Sequence, residues 1–306
     1  MKHFPRLILA AALVLAVSGC SVRRMAVNRL SDALAGSGSG MASDEDPELV
    51  KAAVPFGLKL TESLLAENPR HVGLLTAAAS GFTQYAYAFV QPDADELEEK
   101  DVAAATAGRL RTKKLYLRAR NYGLRGLEVE LPGFQKALAA NPKSAVRGAE
   151  KKDVPLLYWT AASWAAAISV SKNDPDLIGD LPKVEAMMDR ALALDESFNG
   201  GAIHSFLITY ELSRADGTGD PVARARKHFN RAMELGGGHL AGPLVTLAET
   251  VAVQQQNVTE FKSLLNRALA VDVDARPEWR LENLVMQRHA RWLLAHTDDL
   301  FLTPEN

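Results

Sequence analysis

The chain has 306 residues, with 35 Lys and Arg against 37 Asp and Glu, and a formal net charge of −2. A mildly acidic chain with dispersed cations has no electrostatic footprint for nucleic acid. A single cysteine excludes disulfides within the chain and structural zinc of the thiolate type.

In chain order, the first segment is a basic start (Lys2, Arg6) followed by the apolar run Leu7 to Val17. That run is far short of the about 20 residues that span a bilayer, and it has the make-up of a secretory signal. It ends in Val17-Ser18-Gly19-Cys20, which resembles a bacterial lipobox. The expectation is a cleaved signal peptide over 1–19 and lipidation of Cys20, with the mature chain anchored to a membrane through its N-terminal lipid. Ser21, rather than Asp, follows the cysteine and favours the outer membrane, facing the periplasm. Residues 20–44 then read as a lipidated tether, flexible at Gly36-Ser37-Gly38-Ser39-Gly40. This glycine run is no phosphate loop, because no Lys-Ser/Thr follows it and no apolar strand precedes it.

From residue 45 to 302 the chain reads as a single all-α domain. Apolar-periodic segments are separated by Asn-Pro, Asp-Pro and glycine clusters, which stop and start helices. The predicted helices are 46–67, 71–90, 95–130, 133–140, 154–172, 181–194, 200–214, 220–235, 241–255, 257–271 and 277–297. Three segments look alike, "MMDRALALDES", "HFNRAMELGGG" and "LLNRALAVDVD", with Ala191, Ala232 and Ala268 in register. Gly126 and Ser63 fit the same position more loosely. Ala225, Phe229 and Ala232 match the second helix of a tetratricopeptide repeat, with Gly237 where proline would stand; Phe261, Leu265 and Ala268 match more loosely. The expected architecture is a set of degenerate tetratricopeptide-like helix-turn-helix repeats stacked as an α-solenoid.

Catalytic signatures are absent: no H-E-x-x-H, G-x-S-x-G or nucleotide loop occurs. His289 and His296 share a helix face without an obvious carboxylate set, and read as solvated or core-edge. The acidic run Asp93, Asp95, Glu96, Glu98 and Glu99 reads as a solvated helix start. The chain is therefore expected to be no enzyme and to need no metal or cofactor. Three aromatic segments stand out instead, on helices expected to line the concave face. They nominate Phe82, Gln84 and Tyr85, then Tyr158, Trp159 and Trp164, then His204 and Glu211, as walls and polar contacts of a site for a hydrophobic small molecule. The same aromatics at helical spacing are also what a plain core would contain.

The segments "SGFTQYAYAFV", Leu115-Tyr116-Leu117-Arg118-Ala119-Arg120, "DVPLLYWTAASWAAAIS", "GAIHSFLITYE" and "ARWLLAHTDDLFL" keep their order along the chain. Together they resemble the T component (TatT) of tripartite ATP-independent periplasmic (TRAP) transporters, over roughly 45–302. The resemblance implies a lipoprotein of degenerate tetratricopeptide-like helix pairs that associates with the transporter's periplasmic substrate-binding protein. It further implies oligomers, with trimers expected, and a hydrophobic cavity or pore through each protomer. The competing expectation is a helical-repeat scaffold in envelope protein assembly that binds no ligand.

Overall fold

The computed structural model describes residues 38–302 apart from 215 and 216. Cys20 and the apolar leader lie outside the described residues. Among the described residues the regular structure is helical throughout, with no strand.

The helix starts are where the sequence places them, for chemical reasons. Asp46 accepts hydrogen bonds from the Glu48 and Leu49 amides at 3.0 Å and opens α1 (Pro47–Glu67), with proline at the first helical position. His71 Nδ1 accepts from the Leu74 amide and opens α2 (Val72–Tyr85). This rod continues through a wider π-turn, Ala86–Val90, into Gln91–Asp95. Asp101 accepts from the Ala104 amide at 2.9 Å and starts α3 (Val102–Glu130). The continuous helix expected over 95–130 is therefore broken at residues 96–101, where Asp101 as a cap competes successfully with helix propensity. Then follow α4 (Phe134–Ala140), α5 (Val154–Ser169), α6 (Leu181–Leu194), α7 (Ala202–Tyr210) and α8 (Pro221–Leu235). The chain ends in α9 (Gly242–Leu247, prolonged by a π-turn at Ala248–Ala252), α10 (Val258–Leu269) and α11 (Arg280–Ala295). Short helices at Pro142–Ala145, Pro175–Ile178 and Thr297–Leu300 were not expected from the sequence.

Neighbouring helices pack in pairs: α3 lies between α2 and α5, α5 against α6, α7 against α8, and α10 against α11. The small residues of the repeat occupy the close approaches. Ala191, Ala232 and Ala268 are fully buried. Between α3 and α5 the backbones come so near that a Cβ on Gly123 would collide with Thr160, and one on Gly126 with Leu156. Ser63, by contrast, is exposed, so the repeat register does not extend to α1.

The last long helix returns to the first. Leu281 and Val285 of α11 pack into the cluster built from Val50, Leu58, Leu74 and Phe82. Arg280 Nη1 donates to the Ser43 carbonyl at 2.8 Å, and the end of the expected tether, Gly38–Ala42, forms a short helix against α11. Arg288 pairs with Glu96 at 3.0 Å and Glu48 at 3.4 Å. The stacked helical repeats expected from the sequence are thus present, and the last long helix packs back against the first. The acidic run is partly solvated, with Asp93 in the first turn of Gln91–Asp95 and Glu98 and Glu99 exposed, but it also carries ion pairs: Asp93 with Lys51 at 2.8 Å, Glu96 with Arg288, and Asp95 and Glu98 with Arg109.

Candidate functional site

Closure of the array gives it an inside. Tyr87, in the π-turn after α2, keeps 50% of its surface accessible. Its phenol is nevertheless pushed well above the ordinary value, first by burial and then by Glu249 and Glu282. Tyr87 stands beside Met286 of α11, within electrostatic reach of Glu249 and Glu282. Tyr158 on α5 is half-buried, and its phenol is likewise raised by burial, with Glu282 and Tyr87 both acting on it. Glu282 on α11 has an accessible side chain, and burial raises its carboxyl to about 7. No hydrogen bond or ion pair holds Glu282 among the described residues. Tyr87 Oη lies 3.9 Å from Met286 Sδ, and His289 Nε2 lies 3.1 Å from Glu249 Oε2. Although burial opposes its charge, that hydrogen bond and the carboxylates around it lift the His289 pKa above the ordinary value. The interior face is therefore aromatic, with one unpartnered carboxyl and one imidazole–carboxylate pair.

Glu282 gives this interior a pH signature. Its folded pKa, about 7, is raised above the unfolded value of 4.5. The folded state thus holds a proton that the unfolded chain releases, so this stabilisation is complete below 4.5 and is lost as pH rises through about 7. Relative to Glu282→Gln, the native chain should lose melting temperature between these two pH values and stay level above them. A constant difference across that window in thermal melts would mean that Glu282 does not lie deep.

A second polar constellation joins α7 and α8. His204 Nδ1 and His228 Nδ1 are 2.8 Å apart, so one donates to the other. Burial lowers both, His228 to about 4, and both are neutral at neutral pH. Glu211 accepts from Arg224 Nε at 2.5 Å and Arg214 Nη1 at 3.3 Å. At the closure of the array, Glu99, His296 and Asp299 bring their ligand-type atoms within 4.8 Å of one another. Carboxylates do converge on both sequence-flagged histidines, Glu249 on His289 and this pair on His296, where the sequence showed no such set.

Residues 43–301 match the family model described as TRAP transporter T-component. The chain belongs to the TRAP transporter T-component family. The chain is also similar to an uncharacterized protein of Treponema pallidum (strain Nichols), 30% identical over 311 residues and aligned over 96% of each chain. Membership implies a membrane-associated part of envelope transport. No helix among the described residues is long and apolar enough to cross a membrane.

The T-component fold separates the residues nominated from sequence. Tyr158 and Trp159 pack edge to face at 4.9 Å on the half-buried side of α5, with Phe198 at 5.3 Å from Tyr158. Gln84 is exposed. Phe82 and Tyr85 are buried on the opposite side of α2, toward α3; Phe82 stacks on Tyr122 at 5.9 Å. Trp164 is buried beneath Arg120 and Lys183, its Nε1 without a hydrogen-bond partner. His204 and Glu211 belong to the α7–α8 network. Tyr87, Glu249 and Glu282 were missed, and His289 was flagged but read as solvated or core-edge. For Tyr87 a signal existed: Phe82, Tyr85 and Phe89 recur at core spacing, which leaves Gln84 and Tyr87 together on the other face. For Glu282 and Glu249 no local signal existed.

Proposed function

We propose that this chain is a periplasm-facing accessory lipoprotein of a TRAP-type transporter. It docks the transporter's substrate-binding protein and binds or passes an apolar organic ligand through the interior of the closed helical array. No bond is made or broken. The single observation that carries this reading is the accessible yet deep aromatic wall of Tyr87 and Tyr158, in a chain of the T-component family. Trp159 extends the wall, and Glu282 with the two phenols supplies sparse polar contacts of the kind small-molecule sites use. Lipidation of Cys20, removal of residues 1–19, an outer-membrane address and assembly into trimers complete the proposal.

The test is a pull-down from native membranes with the lipidated, C-terminally tagged protein, followed by native mass spectrometry. The expected result is recovery of a TRAP-type substrate-binding protein, with a small apolar molecule retained by the wild type. Tyr158→Ala/Trp159→Ala should lose that molecule and keep its helical circular dichroism. Recovery of envelope-assembly proteins alone would overturn the transport role and leave a scaffold.

A further inference from the structure

Helix α3 carries a second feature, on its outward side and away from the interior. Arg111, Lys114, Arg118, Asn121 and Arg125 follow one another at steps of three and four residues, and all but the half-buried Arg125 are exposed. Such spacing puts them on one helix face. From Arg111 to Arg125 the stripe runs about 21 Å at 1.5 Å per residue.

Three of these cations are held by rings. The Arg118 guanidinium lies 5.3 Å from the Phe82 ring, Arg125 lies 5.3 Å from Tyr122, and Arg111 lies 6.0 Å from Tyr85. Arg125 also donates to the Pro69 carbonyl at 3.1 Å. The single carboxylate paired with the stripe, Glu62, is already shared. It accepts from Tyr122 Oη at 2.7 Å and Lys59 Nζ at 2.6 Å, and lies 3.4 Å from Arg118 Nε. Lys114 meets no hydrogen-bond or ion-pair partner among the described residues, and Arg111 meets no carboxylate there. Along the stripe from Lys114 to Arg125 is a surface depression of about 380 Å³ lined by Lys114, Leu117, Arg118, Asn121, Tyr122 and Arg125.

We propose that this face docks an acidic helical segment of a protein partner, with its carboxylates at matching three- and four-residue steps. A solvated charge stripe needs no ring beneath each guanidinium. Here the rings fix planar forks that match carboxylates in two-point contact, and fixing them in advance lowers the cost of binding. A lipid surface would be met by flexible cations and an inserted apolar side chain. The depression offers little of the second, since Leu117 is the one large aliphatic residue that lines it and is half-buried, and the exposed Leu110 lies outside it; of the cations, only Lys114 is held by neither a ring nor an ion pair. Only the identity of the partner rests on the transport role proposed above; the surface chemistry stands without it.

The test uses the full chain and a fluorescent alanine-based helical peptide with glutamates at steps of three and four. A control peptide of the same composition spreads its glutamates around the helix. Anisotropy should show micromolar binding at low salt, weakening by about tenfold as salt screens the charges. Lys114→Glu/Arg118→Glu should weaken it by at least about tenfold, and Lys262→Glu, on an exposed part of α10, should leave it unchanged. Arg111→Glu/Lys114→Glu, which leaves the Arg118–Phe82 contact untouched, repeats the reading if the first variant melts early. Equal binding of the control peptide, or unchanged binding by both double variants, overturns the proposal. Binding to phosphatidylglycerol vesicles that both double variants abolish, with no peptide binding, assigns the face to lipid and overturns it too. None of these outcomes bears on the pull-down.

Discussion

Phe261→Ala should destabilise the protein by about 3–5 kcal/mol, the range for truncating a buried aromatic to alanine. Phe261 is fully buried on α10, in one cluster with Ile208, Leu244, Val251, Leu265 and Leu293. Its ring meets Phe301 edge to face at 5.0 Å. Truncation would open a cavity where α9, α10 and the chain's end converge, and the rigid neighbours on three helices could refill little of it. The denaturant midpoint of the variant, compared at equal slope with the wild type, gives the cost directly. A loss below about 1 kcal/mol would show that the last helix pair is loosely packed, contrary to the cluster described.

Glu211→Ala should cost a similar amount, about 3–5 kcal/mol, by a different mechanism: it strands buried cations. Glu211 is 4% exposed and bridges Arg224 and Arg214. Arg214 keeps Asp189 at 2.6 Å, but Arg224 would be left with the carbonyls of Thr218 and Gly219 at 2.9 Å and of residue 211 at 3.0 Å. Glu211→Ala/Arg224→Met should recover much of the loss, because the variant then buries no unpaired charge at that point. This experiment also separates two roles for Glu211. A variant that melts like the wild type and loses only a bound ligand would make Glu211 a ligand group. Early melting, restored by the second substitution, makes it the anchor of α7 on α8.

Much of the fold could be read from residue order. Asp46-Pro47 and Asp220-Pro221 set helix starts because aspartate caps exposed amides and proline needs no partner for a missing N–H. Ala191, Ala232 and Ala268 marked close helix approaches because only a small side chain leaves room for a neighbouring backbone. The failure at residues 96–101 is instructive. That stretch contains neither glycine nor proline, so Asp101 as a cap is the one local signal of the break. It is imposed by Asp101 capping and by the ion pairs that tie Asp95 and Glu98 to Arg109. The candidate site was less legible. Of the three nominated segments, those on α2 and α5 contribute to it, the third on α7 belongs to a separate network, and the sequence could not say which face of each looks inward. Phe82 and Trp164 went to the core, while Tyr158 and Trp159 lie on the half-buried side of α5.

What the sequence by itself determined is therefore local and periodic: an all-helical chain, most helix limits, the small-residue contacts of the repeat and the family motifs. Closure of the array was decided only in three dimensions. Leu281 and Val285 pack on the cluster that holds Val50 and Leu58, across more than two hundred residues, and Arg288 reaches Glu48 across 240 residues and Glu96 across 192. Such contacts follow from the summed twist of every intervening helix pair, a quantity no short stretch of residues encodes. The interior that holds Tyr87, Tyr158 and Glu282 exists only because that sum brings the last helix back to the first.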